Sequence, residues 1–216
     1  MAPPRGRIAL AGIIALIGLP GSGKSVVAPL LAARLGCSWA DLDERIARAA
    51  GVAVPELLRR EGEARFRAVE EEALRAALRG ATVARGGAGA ADGADAPRPE
   101  TAASRPGLVL ACGGGVVARP ESSALLRQQA FVVWLRVAPE TAAARIGRAG
   151  AAERPLLDGA GSVAMRIEAL LRRRAPLYAA VAHAAVETEG RPAEAVAGEV
   201  QRAWEERAER WGTSGS

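Results

Sequence analysis

One α/β domain built on a parallel sheet is what this sequence predicts, and three observations predict it. Ile8–Ile17 is an apolar run without polar alternation, the pattern of a strand buried on both faces at the centre of a parallel sheet. It leads into Gly18-Leu19-Pro20-Gly21-Ser22-Gly23-Lys24-Ser25, which fills every specified position of G-x-x-x-x-G-K-[ST], a phosphate-binding loop between a strand and a helix. Short apolar runs then alternate with stretches of helical period, the order of strand–helix–strand units. At 216 residues the chain has room for one such domain, and two would be cramped.

Composition narrows the class of ligand. Hydrophobic residues make up 50% of the chain and charged residues 25%, while aromatics are only 3%, so the core is aliphatic. Lys and Arg number 29 against 24 Asp and Glu, a net charge of +5 that suits small anionic ligands. A nucleic-acid surface needs basic residues clustered on a face; here the arginines alternate with Glu and Ala, and no nucleic-acid partner is expected. Cys37 and Cys112 stand in no metal or redox spacing, which fits a reducing cytoplasm. Ile8–Ile17 follows Arg5 and Arg7 like a short export signal, yet it is too short to span a bilayer and its removal would strip the strand feeding the loop. No membrane association is expected.

The elements follow in order. Glycines at 18, 21 and 23 let the loop aim successive N–H groups at phosphate oxygens. The helix starting near Lys24 adds its positive dipole end, Lys24 a full charge for the outer phosphates, and Ser25 a hydroxyl for Mg2+. Gly21, Ser22, Gly23, Lys24, Ser25 and Val26 are thus the candidate nucleotide-binding residues. Val26, Val27, Leu30, Leu31 and Leu35 mark the helix, and Gly36 its stop. Pro29 lacks the N–H that the preceding turn requires, which predicts a kink or a wide first turn.

Ser38–Leu42 is a second strand ending in Asp41-Leu42-Asp43. At the carboxyl end of a parallel strand these carboxylates face the phosphate loop. One is suited to hold Mg2+ and its waters, the other to accept a proton or hydrogen bond from an attacking hydroxyl. The competing reading is a helix cap, for which Asp43 is well placed. Glu44–Ala50 is a short helix stopped by Gly51, and Pro55 opens another through Arg60. Beyond Glu61, residues Phe66, Val69, Ala73, Leu74 and Ala77 form an apolar stripe. Arg67 lies one turn from Glu63, Glu70 and Glu71. It is either part of a surface helix with weak ion pairs, or held by its acids so that its fork takes a substrate carboxylate.

Arg85–Gly107, rich in Gly, Ala, Pro, Asp and Ser without an apolar period, is a low-complexity insertion expected to be disordered. Leu108–Ala111 resumes the sheet, and Cys112-Gly113-Gly114-Gly115 follows, where glycines permit close backbone approach to a ligand and Cys112 is a small buried residue. Phe131–Val137 is a fourth strand and Pro139–Ile146 opens a helix. Gly147–Ser162 is a flexible stretch in which Arg154 is a candidate lid charge over the phosphates. Arg166–Arg174 is helical and basic, His183–Thr188 makes a fifth strand, and Ala193–Arg207 a closing helix. His183, the only histidine, is read as structural.

In sequence, GLPGSGKS, D-x-D, GEARFRAVEE, CGGGVV, RPLL and RRRAPLY resemble the motifs of the shikimate kinases over Ile8–Thr188, the insertion apart. The phosphate loop alone fixes only a nucleotide site; the six separated motifs carry the resemblance. It implies a three-layer fold of the nucleoside monophosphate kinase type, with a five-stranded parallel sheet in order 2-3-1-4-5. The single domain 1–216 then comprises a folded core at 8–205, a substrate-binding region at 41–79, the 85–107 insertion, a lid at 147–162, and tails at 1–7 and 208–216. The resemblance also implies an ATP:shikimate 3-phosphotransferase, with ATP and shikimate as ligands, Mg2+ as cofactor, and a cytoplasmic monomer.

By the same resemblance Asp43 binds the shikimate hydroxyls and acts in catalysis beside Lys24 and Arg154, while Asp41 and Ser25 support Mg2+. Arg67 and Arg174 hold the carboxylate, Gly113, Gly114 and Gly115 line the substrate, Arg154 is the lid arginine, and Arg145 flanks the adenine. Departures from the pattern are Leu58 in place of an aromatic lining the pocket, Ala53 in place of a Ser/Thr helix cap, and a longer lid. A gluconate kinase is the alternative among enzymes, opposed by the GGG turn, the paired arginines and RPLL. Outside enzymes it is a nucleotide-binding regulator without turnover, opposed by the intact Lys24, Ser25, Asp41 and Asp43.

Overall fold

The computed structural model describes residues 12–86, 106–148 and 162–212. Most of the expected insertion, most of the lid including Arg154, and the 1–7 tail lie outside the described residues.

β1 (Ile13–Ile17) is the central strand of a five-stranded sheet that also holds β2 (Ser38–Asp41), β3 (Leu108–Ala111), β4 (Phe131–Arg136) and β5 (Ala184–Glu187). The order is β2-β3-β1-β4-β5 and every pairing is parallel, as expected. Ile13, Ala15 and Ile17 enter one core while Ile14 and Leu16 enter the other. With both faces covered, β1 has no polar side, which is why its run is unbroken.

α1 (Lys24–Leu35) and α7 (Ala193–Gly212) cover one face, where Val27 and Leu31 pack with Val200 and Trp204. The other face is covered by α2 (Leu42–Ala50), α3 (Val54–Gly86), α4 (Pro120–Gln129), α5 (Pro139–Arg148) and α6 (Val163–Val181), through residues such as Ile46, Leu74, Leu126, Ile146 and Ile167. Among the described residues no helix is long and apolar enough to cross a membrane.

Several boundaries differ from the sequence reading. β2 stops at Asp41 because Leu42 opens α2 and is fully buried. The sequence reading assigns nothing to residues 116–130, where a 3-10 turn (Val116–Ala118) precedes α4; Pro120 sits at its start, where a missing N–H costs nothing. α6 continues through Pro176, and α7 runs past Arg207 into the expected 208–216 tail. α1 runs through Pro29 with a tight rather than a wide first turn: the Gly23 carbonyl accepts from both Val26 (3.0 Å) and Val27 (2.8 Å). The proline removes only the bond owed to the Ser25 carbonyl. Val26, expected on the buried stripe of α1, is 59% exposed.

Candidate active site

The carboxyl ends of the strands open on a cavity of about 730 Å³, where a parallel sheet places ligands. β1 delivers the phosphate loop. Gly21, at φ 80°, lies so close to α5 that a Cβ would stand 2.6 Å from the Ala142 carbonyl, so only glycine fits both the dihedral and the space. Lys24 Nζ donates to the Gly18 and Leu19 carbonyls at 3.0 and 2.8 Å and to Ser22 Oγ at 3.3 Å, which folds the loop around the ammonium. Gly23 stands before α1 in a left-handed conformation, so the N–H groups of the first turn face the cavity end of the helix.

β2 delivers the two carboxylates. Asp41 accepts the Ser25 hydroxyl on Oδ2 at 2.6 Å and the Asp43 N–H on Oδ1 at 2.9 Å. The cap of α2 is therefore Asp41 and not Asp43, since Asp41 alone has the extended backbone that precedes the helix. Asp43, two residues further on, lines the cavity. Ser25 and Asp41 form a pair of hard oxygen donors, the chemistry Mg2+ prefers. Among the described residues no group of three or more His, Cys, Asp or Glu is placed to hold a metal.

On the far wall, α3 breaks at Gly62 and its second half carries Arg67 inward. Arg67 is 7% exposed, which removes the surface-helix reading. Its guanidinium donates to Glu70 at 2.7 Å and to Glu63 at 3.1 Å and lies 5.0 Å from the centre of the Phe66 ring. Burial opposes the Arg67 charge, but the charges and hydrogen bonds of Glu70 and Glu63 outweigh it and hold the cation. Burial pushes the Glu70 carboxyl up, against the pull of Arg67, and the neighbouring Asp43 charge adds to the rise.

The glycine turn after β3 closes against this cluster. A Cβ on Gly113 would lie 2.7 Å from Asp43 Oδ1 and 3.1 Å from Glu70 Oε1, and one on Gly115 would lie 2.5 Å from both terminal nitrogens of Arg67. Gly114 packs on the phosphate loop, its Cβ position 3.1 Å from the Gly18 carbonyl oxygen. Arg174 on α6 is 8% exposed, and its Nη1 is buried without a hydrogen-bond partner. A buried guanidinium N–H left unmatched is costly, so the site is built for an acceptor to arrive there. Tyr178, one turn along α6, donates its hydroxyl to the Gly114 carbonyl; burial pushes its phenol up to about 12, against the neighbouring Arg174 charge, and keeps it a donor.

Of the residues expected from sequence, Gly21, Gly23, Lys24, Ser25 and Val26 line the cavity, as do Asp41, Asp43, Arg67, Gly114, Gly115, Arg145 and Arg174. Ser22 is buried beneath the loop and Gly113 stands behind Asp43. Arg145 reaches the Gly21 carbonyl at 3.3 Å. Arg154 lies outside the described residues. Glu70 and Glu63 hold Arg67 as the sequence reading offered, while Glu71 pairs with Arg75 and Arg119 instead; Tyr178 goes unassigned in the sequence reading, and nothing local marked it. Leu58 lines the cavity, Cys112 is buried as expected, and His183 serves the core by accepting the Val132 N–H on Nδ1 at 2.9 Å.

A profile of the family described as shikimate kinase matches residues 20–95 and 100–205, the interruption falling inside the Arg85–Gly107 stretch. The chain is 41% identical over 192 residues to a shikimate kinase of Moorella thermoacetica, a match covering 89% of this chain and 94% of that protein. It is 37% identical over 197 residues to one of Symbiobacterium thermophilum, covering 91% and 98%. In structure it is similar to a shikimate kinase from Acinetobacter baumannii solved in complex with shikimate, with a TM-score of 0.73, 30% identity, and coverage of 92% and 96%. The family match spans Asp41, Asp43, Arg67 and Arg174 together, and on these similarities the chain belongs to the shikimate kinase family.

Proposed function

We propose that this chain transfers the γ-phosphoryl group of ATP to the 3-hydroxyl of shikimate, giving shikimate 3-phosphate and ADP in aromatic amino-acid biosynthesis. The observation that carries the reading is the unmatched buried Nη1 of Arg174 in the same cavity as the phosphate loop. A carboxylate is the acceptor that a guanidinium fork takes best, and Arg67 presents a second fork to the same space.

Each residue then has a part. The first-turn N–H groups of α1 and the ammonium of Lys24 hold the phosphates and meet the charge that spreads over the transferring group. Asp43 orients the attacking hydroxyl and accepts its proton. Arg67, Arg174 and the turn Gly113–Gly115 hold the carboxylate end, so that the hydroxyl end faces Asp43. Ser25 and Asp41 would hold Mg2+, which when bound neutralises phosphate charge. Arg145 flanks the adenine; the lid role of Arg154 rests on the resemblance alone.

The reading is of a single kinase domain acting as a monomer. The two free thiols, Cys37 and Cys112, suit a reducing cytoplasm.

ADP release tests the reading. With ATP and Mg2+ the enzyme is expected to turn over shikimate and to leave gluconate and nucleoside monophosphates largely untouched. Lys24→Ala is expected to lower kcat by about a hundredfold or more, the effect of removing one preorganised charge at the transition state. Turnover of gluconate at a rate matching shikimate would overturn the substrate assignment, and Lys24→Ala within about tenfold of wild type would overturn the role of the loop.

A further inference from the structure

Beyond β5 lies Thr188, a residue that the proposed chemistry does not call upon. Thr188 is 3% exposed, at the point where β5 ends. Its hydroxyl accepts from Arg145 Nη1 at 3.1 Å and donates its one proton to the Arg136 carbonyl at 3.0 Å. Its carbonyl accepts from Arg145 Nη2 at 2.7 Å, and its N–H donates to the same Arg136 carbonyl at 2.9 Å. Both terminal nitrogens of one guanidinium are thus held by two oxygens of one residue.

The neighbouring residue holds the helix that carries Arg145. Glu189 accepts from the Ala138 N–H at 3.2 Å and from the Thr141 hydroxyl, at the start of α5. The same Nη1 that donates to the Thr188 hydroxyl also donates to the Gly21 carbonyl of the phosphate loop at 3.3 Å. Arg145 is therefore a strut between the end of β5 and the phosphate loop.

We infer that Thr188 is the positioning residue for Arg145, holding its guanidinium against the phosphate loop before nucleotide arrives. A free arginine side chain carries about 2 kcal/mol of rotamer entropy, and a side chain already held in its working rotamer spares the ligand that cost. Thr188 acts through Arg145, so its effect falls on nucleotide affinity and spares the carboxylate end of the cavity. The inference rests on the reading of Arg145 as a nucleotide residue.

The test is calorimetric titration of the full chain with ADP, together with the shikimate KM. Thr188→Val keeps the volume and removes the hydroxyl; it is expected to weaken ADP binding by about three- to tenfold, the net worth of one ordinary intramolecular hydrogen bond. Thr188→Ser is expected to restore wild-type affinity, and the shikimate KM to stay within about twofold, a change too small for a lost contact. In an Arg145→Ala background Thr188→Val is expected to have no further effect on ADP.

Weak ADP binding by Arg145→Ala with normal binding by Thr188→Val would overturn the positioning role and leave the reading of Arg145 standing. Normal ADP binding by Arg145→Ala would overturn both. Equal losses for ADP and shikimate in Thr188→Val would mark a general structural role and overturn the inference. Should Thr188→Val not fold, Thr188→Ala measured beside Thr188→Ser decides in the same way.

Discussion

Arg67 and Glu70 stand 2.7 Å apart with both side chains buried, and the guanidinium lies against the Phe66 ring. Removing either charge would strand the other in a poorly solvated place. Lysine keeps the charge, and with it the pairing of Glu70, but it is a point charge on a flexible stem and cannot present two parallel N–H donors. Arg67→Lys is therefore expected to raise the shikimate KM by about tenfold or more, the worth of one charge-assisted hydrogen bond, while ADP affinity is retained. Steady-state kinetics with each substrate varied in turn checks this. A raised ATP KM with shikimate spared would assign Arg67 to the nucleotide side and redraw the division of the cavity.

At the scale of an element, the break in α3 decides where Arg67 points. Gly62 has φ 78° and ψ 170°, a region that residues with a Cβ scarcely enter. The segment before it brings Leu58 to the cavity, and the segment after it brings Phe66, Arg67 and Glu70. A Cβ on Gly62 would meet nothing within 4 Å, so alanine there suffers strain without a clash. That strain is worth about 1–3 kcal/mol, which lowers Tm by about 2–4 °C per kcal/mol in a chain of this size. Gly62→Ala also gains helix propensity if the break closes, and closing it would move Arg67 away from Gly115. The expected outcome is a Tm lower by several degrees and a raised shikimate KM with ADP binding kept. Wild-type values for both Tm and shikimate KM would show that the break does not position the arginine.

For the whole molecule, His183 ties the amino ends of the strands together. It accepts the Val132 N–H on Nδ1 and stacks on Phe131, which in turn meets Trp204. Burial, then the charges of Arg207 and Arg127, push its pKa down to about 4 from an ordinary value of 6.5. The fold therefore favours neutral histidine. The stability this contributes is complete above pH 6.5 and is lost as pH falls towards 4. His183→Asn supplies an amide oxygen for the same N–H but cannot take up a proton. The Tm advantage of wild type over His183→Asn is thus expected to shrink between these two pH values, and an advantage constant with pH would refute the linkage. Local features of this molecule were legible in the sequence alone. Glycine spacing and Lys24 specify the phosphate loop because eight consecutive residues supply its dihedrals, N–H groups and charge. Unbroken apolar runs mark the inner strands because both their faces are covered, and glycines mark the ends of α1 and α2 because a left-handed residue ends each helix. Features that depend on residues far apart in the chain were decided by the tertiary structure. Arg67 read equally well as a surface residue until the glycine turn closed over it. Asp41 and Asp43 divided their roles only where the chain turns from β2 into α2, with the Ser25 hydroxyl beside one of them. Tyr178 reaches Gly114 across 64 residues, and Arg145 reaches Gly21 across 124. No periodicity encodes such contacts, because the strands of a parallel sheet gather their carboxyl ends from distant parts of the chain.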